Sequence, residues 1–101
     1  MAEKQHFLFM IHPVRGQAFF DDMQPEEVAA MSAHFAYLKQ ALADGILLLA
    51  GPMLDQTFGV GLIQVDSEEQ AREFMRNDPS VKANVQRPEL NPMKLSLWAG
   101  K

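Results

Sequence analysis

The chain has 101 residues, 48% of them hydrophobic, and a formal net charge of -4. Its length and apolar content predict one globular domain over residues 1–101 and exclude intrinsic disorder. The Lys and Arg residues are scattered and form no basic cluster that would indicate nucleic-acid binding. The chain has no cysteine, which excludes disulfides, thiolate zinc sites and cysteine nucleophiles.

The N-terminal segment shows no pattern of a targeting signal. Its unbroken apolar run, residues 7–11, is too short for a signal peptide or a membrane span. We therefore expect a cytoplasmic protein without a membrane partner. A domain this small and apolar is expected to complete its burial as a homodimer or a higher oligomer.

The first predicted element is a buried strand. Residues 6–12, HFLFMIH, form a short apolar run that Pro13 ends. Residues 14–24 have no sustained period, which predicts a loop with Phe19 and Phe20 as aromatic anchors.

A long helix is predicted next. Pro25 followed by two glutamates is typical of a helix start, and Gly45 of a left-handed C-terminal cap. Apolar residues recur between them at steps of three and four, which predicts one core-facing stripe of Val28, Met31, Phe35, Leu38 and Leu42. His34 lies roughly 80° from the centre of this stripe, so we expect it to be neither core nor fully exposed.

Two further strands follow the helix. Residues 46–50, ILLLA, are too apolar for a sheet edge and predict a central strand that the next Gly-Pro pair ends. Residues 58–65, FGVGLIQV, predict a third strand. Its glycines, Gly59 and Gly61, share one face and indicate a bulge or a close approach by a backbone or a ligand.

The C-terminal third begins with a helix signal. Ser67 and Gln70 form a capping box, with Gln70 reaching back to the serine N–H, and the helix is predicted to end near Asn77. Residues 79–84 predict a turn or short helix. The alternating run at residues 93–98 predicts the last strand.

The order of these elements is βαββαβ, which matches the ferredoxin-like α+β fold. This fold has a four-stranded antiparallel sheet with two helices on one face. The chain offers no third substantial helix to cover the other face, so dimerisation through that face is expected.

Several of these features combine into a pattern that resembles the YciI-like (YCII-related) family of the dimeric α+β barrel superfamily. The residues that form this pattern are His34 on the first long helix, the pair Gly51-Pro52 after the second strand, and the pair Asp78-Pro79 after the second helix. The similarity covers nearly the whole chain, from the first strand to the C-terminal tryptophan.

The resemblance implies that His34 and Asp78 form a dyad in a pocket. Few members of the family have an established reaction, and one class that resembles it eliminates chloride from a chlorinated hydroxyquinone. The family often carries an aromatic residue directly after the Asp-Pro pair, whereas this chain has Ser80.

The chemistry of such a dyad is acid–base catalysis. Asp78 would fix the tautomer and orientation of His34, which would transfer protons through its other ring nitrogen. The alternatives are a purely structural hydrogen bond or no contact between the two. The candidate substrate-binding residues are His12, Arg15, Tyr37, Gly51, Pro52 and Ser80.

The motifs exclude several other chemistries. No metal-ligand spacing links His6, His12 and His34, and the chain has no phosphate loop, dinucleotide fingerprint or nucleophile triad. The first functional hypothesis is a cofactor-free lyase- or isomerase-like enzyme acting on a small molecule. The alternatives are a non-catalytic ligand-binding or accessory domain and, less strongly supported, a cofactor-free oxygenase.

Overall fold

The computed structural model describes residues 3–100, which form one four-stranded antiparallel sheet with the long helices on one face. The elements are β1 (Gln5–Pro13), α1 (Gln17–Asp21), α2 (Pro25–Ala43), β2 (Leu47–Pro52), β3 (Gly59–Val65), α3 (Glu68–Arg76), α4 (Pro79–Lys82) and β4 (Gln86–Met93). The strand order is β2-β3-β1-β4, which confirms the predicted ferredoxin-like α+β fold. Among the described residues, no helix is long and apolar enough to cross a membrane.

The main core lies between the central strands and the helices α2 and α3. Alternate residues of β1, namely Phe7, Phe9 and Ile11, are buried because strand side chains alternate between faces. The helix residues that pack in the same cluster are Leu38 and Ala41 of α2 and Ala71, Phe74 and Met75 of α3.

Gly61 of β3 lies directly opposite Phe9 of β1 in the sheet. The phenyl ring of Phe9 lies across this glycine, so that a Cβ atom at residue 61 would lie 2.9 Å or less from three of its ring carbons. The ring is fully buried and also contacts Phe74, with 6.3 Å between ring centroids. The glycines predicted a bulge or a close approach by a backbone or a ligand, whereas at Gly61 the group that approaches the β3 backbone is an aromatic side chain.

Helix α2 buries a different face from the predicted stripe. Val28, Phe35 and Leu42 are 53%, 63% and 55% exposed. The buried residues are Glu27, Ala30, His34, Leu38 and Ala41, of which only Leu38 belongs to the predicted stripe. Small alanines in this row allow the helix to lie close to the elements beneath it, and His34 at 6% exposure belongs to the interior. The expectation that His34 is only partly buried was wrong.

The second strand is an edge strand, not the predicted central one. It pairs with β3 alone, has a register irregularity between Leu47 and Leu49, and continues through Gly51 and Pro52. The apolar residues of β2 are not buried on both faces of the sheet. Leu49 is 48% exposed, and several residues of the strand line a cavity. Apolar content alone does not distinguish these two situations.

The last strand also lies elsewhere than predicted. It is β4 (Gln86–Met93), and residues 94–98 are outside it. Pro88 and Pro92 argued against a strand, because proline removes a backbone donor. Both are accommodated because β4 is at the edge of the sheet, where alternate N–H groups need no partner strand.

Two local predictions about the helices need correction. Residues 17–21 form the short helix α1 where a loop was predicted, with Phe19 buried against Ala30 and Val85. Ser67 does cap α3 by accepting from the Gln70 N–H. The Gln70 side chain, however, accepts from the N–H of Asp66 at 2.8 Å and not from that of Ser67.

Candidate active site

Asp78 is positioned by the start of helix α4. Its backbone is extended and Pro79 occupies the first helical position, a combination typical of a helix start. The carboxylate caps the helix, since its Oδ1 accepts from the Ser80 N–H at 2.9 Å. The other oxygen, Oδ2, remains available to a residue on a neighbouring helix.

That residue is His34 of α2. Its Nδ1 lies 2.7 Å from Asp78 Oδ2, and the two side chains are 8% and 0% exposed. An ionised carboxylate only accepts hydrogen bonds, so the proton of this contact belongs to Nδ1 of the imidazole. A neutral His34 then carries its lone pair on Nε2, which is the state required of a general base.

Two further buried side chains extend the pair into a network. Ser80 Oγ is 2.9 Å from Asp78 Oδ1 and 3.0 Å from Gln86 Oε1. A hydroxyl has one proton, so donation to Asp78 requires the amide of Gln86 to turn its NH₂ group toward Ser80. All four side chains are buried, and the hydrogen bonds fix the position of Asp78 beneath His34.

Tyr37 lies one turn after His34 and serves a different contact. Its hydroxyl donates to the backbone carbonyl of Phe74 at 2.7 Å, which ties α2 to α3. Burial, and secondarily the negative charge of Asp78, raise the pKa of Tyr37 to about 12. The phenol therefore stays protonated at neutral pH and keeps this hydrogen bond.

A cavity of about 740 Å³ opens beside the dyad, between α2 and the β2–β3 end of the sheet. His34 and Gln86 are part of its wall. The rest of the wall is mainly apolar and includes Phe9, Ile11, Phe19, Phe20, Met31, Phe35, Leu38, Leu42, Leu47, Leu49 and Phe58. Since Nδ1 of His34 is bound to Asp78, Nε2 is the ring atom left to meet a ligand.

The candidate substrate-binding residues have different surroundings. Gly51 and Pro52 line the cavity. Ser80 lies behind the dyad, bound to Asp78 and Gln86. His12 alternates to the opposite face of the sheet, where its Nε2 is 3.1 Å from Glu89 Oε1.

Arg15 is engaged within its own segment. Its guanidinium donates to the carbonyls of Ala18 and Asp22, both at 3.1 Å, and its Nε lies 3.5 Å from the buried carboxylate of Glu27. These contacts join the α1 segment to the start of α2. A substrate-binding role for Arg15 stays a prediction, and the contacts that hold its guanidinium do not favour it.

Besides His34, the polar residues of the cavity wall are Lys39, Gln56 and Gln86, and none of these three was predicted from the sequence. Gln86 stands in a proline-containing stretch that was predicted to precede the last strand, and no local pattern marks it as a site residue. Nothing in the sequence distinguishes Lys39 from an ordinary exposed lysine on a helix. Only the packing of α2 against the sheet brings Lys39 and Gln86 to the same cavity.

Comparisons with known proteins agree with this architecture. The profile of the YCII-related domain family matches residues 7–94. A structure of 5-chloro-2-hydroxyhydroquinone dehydrochlorinase (TftG) from Burkholderia phenoliruptrix AC1100, in complex with 2,5-dihydroxybenzoquinone, is similar with a TM-score of 0.65 at 20% identity, over 87% of this chain and 93% of that chain. No curated protein sequence matches the chain significantly.

Proposed function

The chain belongs to the YCII-related family, and from that premise we propose that it is a small-molecule enzyme in which His34 and Asp78 perform general acid–base catalysis. The reaction class is that of a lyase or an isomerase. His34 is the catalytic acid and base, and Asp78 positions it. Ser80 and Gln86 position Asp78 in turn.

The observation that carries this proposal is the buried 2.7 Å contact between His34 and Asp78 at the wall of an apolar cavity. A carboxylate that is 0% exposed needs a compensating partner. Here the partner is an imidazole whose second nitrogen is available to a ligand. A merely structural pair does not require a cavity of this size beside it.

The geometry supports a simple sequence of proton transfers. Nε2 of His34 removes a proton from the substrate, and the resulting imidazolium is stabilised by the carboxylate of Asp78. In an elimination, the electron pair of the broken C–H bond forms the new double bond as the leaving group departs with its own pair. The imidazolium then returns its proton to the leaving group, to the product or to water.

The structural neighbour indicates a first reaction to test. Its name describes a dehydrochlorinase, and its bound ligand is a dihydroxybenzoquinone. An identity of 20% supports the shared fold alone, so the substrate of this chain is open. Chlorinated hydroxyhydroquinones are nevertheless the appropriate first members of a substrate panel.

The test compares the wild-type protein with His34→Gln on two substrates. Chloride release from 5-chloro-2-hydroxyhydroquinone examines the specific reaction, and Kemp elimination of 5-nitrobenzisoxazole examines any general base in an apolar cavity. We expect the wild type to accelerate at least one reaction, and His34→Gln to lower that rate by at least about 100-fold. Equal rates for the two proteins on both substrates would contradict acid–base catalysis by His34.

A second candidate function is binding without catalysis, which the large apolar cavity favours. The same panel separates the two functions. A protein that binds apolar molecules but gives no elimination above the His34→Gln rate is a binding or accessory domain.

We further propose that the protein is a homodimer, and a cytoplasmic location stays a prediction. The helices that form the main core pack on the face of Phe7, Phe9 and Ile11. The opposite face carries apolar side chains that are half-buried or exposed, including Leu8, Met10, Val60 and Met93. Sedimentation velocity is expected to give twice the chain mass, and a monomer at micromolar concentration would refute the proposal.

A further inference from the structure

The cavity wall has an unusual charge balance for this acidic chain. The chain has 13 acidic and 9 basic residues, yet no Asp or Glu is among the described residues that line the cavity. Lys39 is the one Lys or Arg in that wall. The cavity wall therefore presents the ammonium of Lys39 without a carboxylate in the wall to neutralise it, whereas the imidazole of His34 is paired with Asp78 behind the wall.

Lys39 lies at the solvent-exposed side of this wall. It is one helical turn after Phe35, and its Nζ is 5.6 Å from the centroid of the Phe35 ring. Several other cations have a carboxylate partner within 4 Å: Lys4, Arg15, Arg72 and Arg76. Among residues 3–100, no such partner is found for Lys39. Its ammonium is held over an aromatic face, which leaves its donors free for an anion.

The two polar positions on α2 are separated along the cavity. His34 and Lys39 are five residues apart on one helix, which corresponds to about 7.5 Å along its axis and about 140° around it. One is buried and the other is exposed. A ligand that reaches both therefore has distinct groups at its two ends, with an apolar body between them.

We propose that the cavity binds an amphipathic anion, namely an aromatic or aliphatic body that fills the apolar space and one anionic group that pairs with Lys39 at the mouth. The volume of about 740 Å³ is in the range of cavities that enclose a drug-sized molecule. The end of the ligand near His34 carries the proton that is transferred. That last part rests on the proposed function, whereas the pairing with Lys39 does not.

The experiment uses two fluorescent probes that share one apolar body. Both 1-anilinonaphthalene-8-sulfonate and N-phenyl-1-naphthylamine contain a phenylnaphthylamine, and only the first carries an anionic group. Fluorescence titration measures the Kd of each probe for the wild type, for Lys39→Met and for Lys82→Met. Methionine keeps an apolar stem over Phe35, and Lys82 is an exposed lysine outside the cavity wall.

We expect Lys39→Met to raise the Kd of the sulfonate roughly fivefold, as for a partly exposed ion pair worth about 1 kcal/mol. The Kd of the neutral probe is expected to stay unchanged, and Lys82→Met is expected to affect neither probe. An unchanged Kd of the sulfonate in Lys39→Met would overturn the proposal. An equal increase for both probes would also overturn it, because the loss would then be apolar.

A substitution in the cavity wall tests whether the probes bind inside the cavity. Ala50 is exposed and lines the cavity, so Ala50→Trp narrows the space without disturbing the core. We expect weaker binding of both probes to Ala50→Trp, and unchanged binding would place them outside the cavity and refute the assignment. Probe binding involves no turnover, so a failure of His34 as a catalytic base would leave this test of the pairing with Lys39 unaffected. An inactive enzyme and an unchanged Kd of the sulfonate in Lys39→Met are therefore separate outcomes.

Discussion

Asp78→Asn is expected to lower turnover by roughly 10³- to 10⁴-fold while the protein stays folded, because the substitution reverses the tautomer of His34. Turnover is expected to fall this far because His34 would no longer have a basic Nε2. An imidazole that carries its proton on Nε2 cannot accept a proton there from a substrate. The volume and shape of the side chain at residue 78 are nearly unchanged.

The reversal follows from the donors that surround Asp78. Both the N–H and the hydroxyl of Ser80 approach Oδ1, each at 2.9 Å. An asparagine has a single acceptor oxygen, and two donors hold that oxygen on the Ser80 side. Its NH₂ group then faces Nδ1 of His34, which must accept the hydrogen bond and shift its own proton to Nε2.

The measurement is ¹⁵N NMR of the imidazole side chains, which distinguishes the two tautomers, together with the turnover assay. Glu89→Gln is the matched control, because it makes the same type of change beside His12, on an exposed pair with a 3.1 Å contact. The control is expected to leave the tautomer of His34 and the turnover unchanged. Persistence of the Nδ1–H tautomer of His34 in Asp78→Asn, or wild-type turnover in that variant, would show that Asp78 does not position the base.

Gly61→Ala is expected to destabilise the fold by about 3 kcal/mol, the upper part of the usual range for overpacking a core. The added methyl group would overlap the ring of Phe9. That ring is fully buried and packs against Phe74, so a shift away from the added methyl group would disturb the core. Urea denaturation measures the change as a lower midpoint with an unchanged slope.

The matched control is Gly51→Ala on the neighbouring strand. A Cβ atom at residue 51 meets nothing within 4 Å, so the free energy of unfolding is expected to change by less than about 0.5 kcal/mol. Phe9→Leu in the Gly61→Ala background is expected to recover part of the loss by removing the overlap. If Gly61→Ala and Gly51→Ala destabilised the protein equally, the ring of Phe9 would not be the reason for glycine at residue 61.

The predictions from sequence were most accurate for features that depend on a few neighbouring residues. Pro25 and Gly45 bound α2 as predicted, with Gly45 at a φ of 79°, because helix ends depend on the backbone conformation of a few residues. Ser67 and the Asp78-Pro79 pair likewise start α3 and α4. The same local signals carried the family resemblance, which the match over residues 7–94 confirms.

The burial of α2 could not be predicted by the same means. Periodicity identifies rows of residues along a helix, but it does not state which row meets the sheet. The row of small residues around His34 was buried, since it permits close packing and because His34 and Asp78 satisfy each other there. The bulkier row with Phe35 and Leu42 was left beside the cavity.

The order of the main elements and the residues that start α2, α3 and α4 could thus be predicted from local chemistry. The family and the two residues of the candidate dyad came from the resemblance that these short motifs carry. Three features became apparent from the three-dimensional structure alone: His34 is buried, β2 and β4 are edge strands, and Gln86 and Lys39 share a cavity with His34. Burial and proximity depend on packing between segments that are distant in sequence, which local patterns do not report. His34 and Asp78 themselves are 44 residues apart, and they are joined by a contact of 2.7 Å.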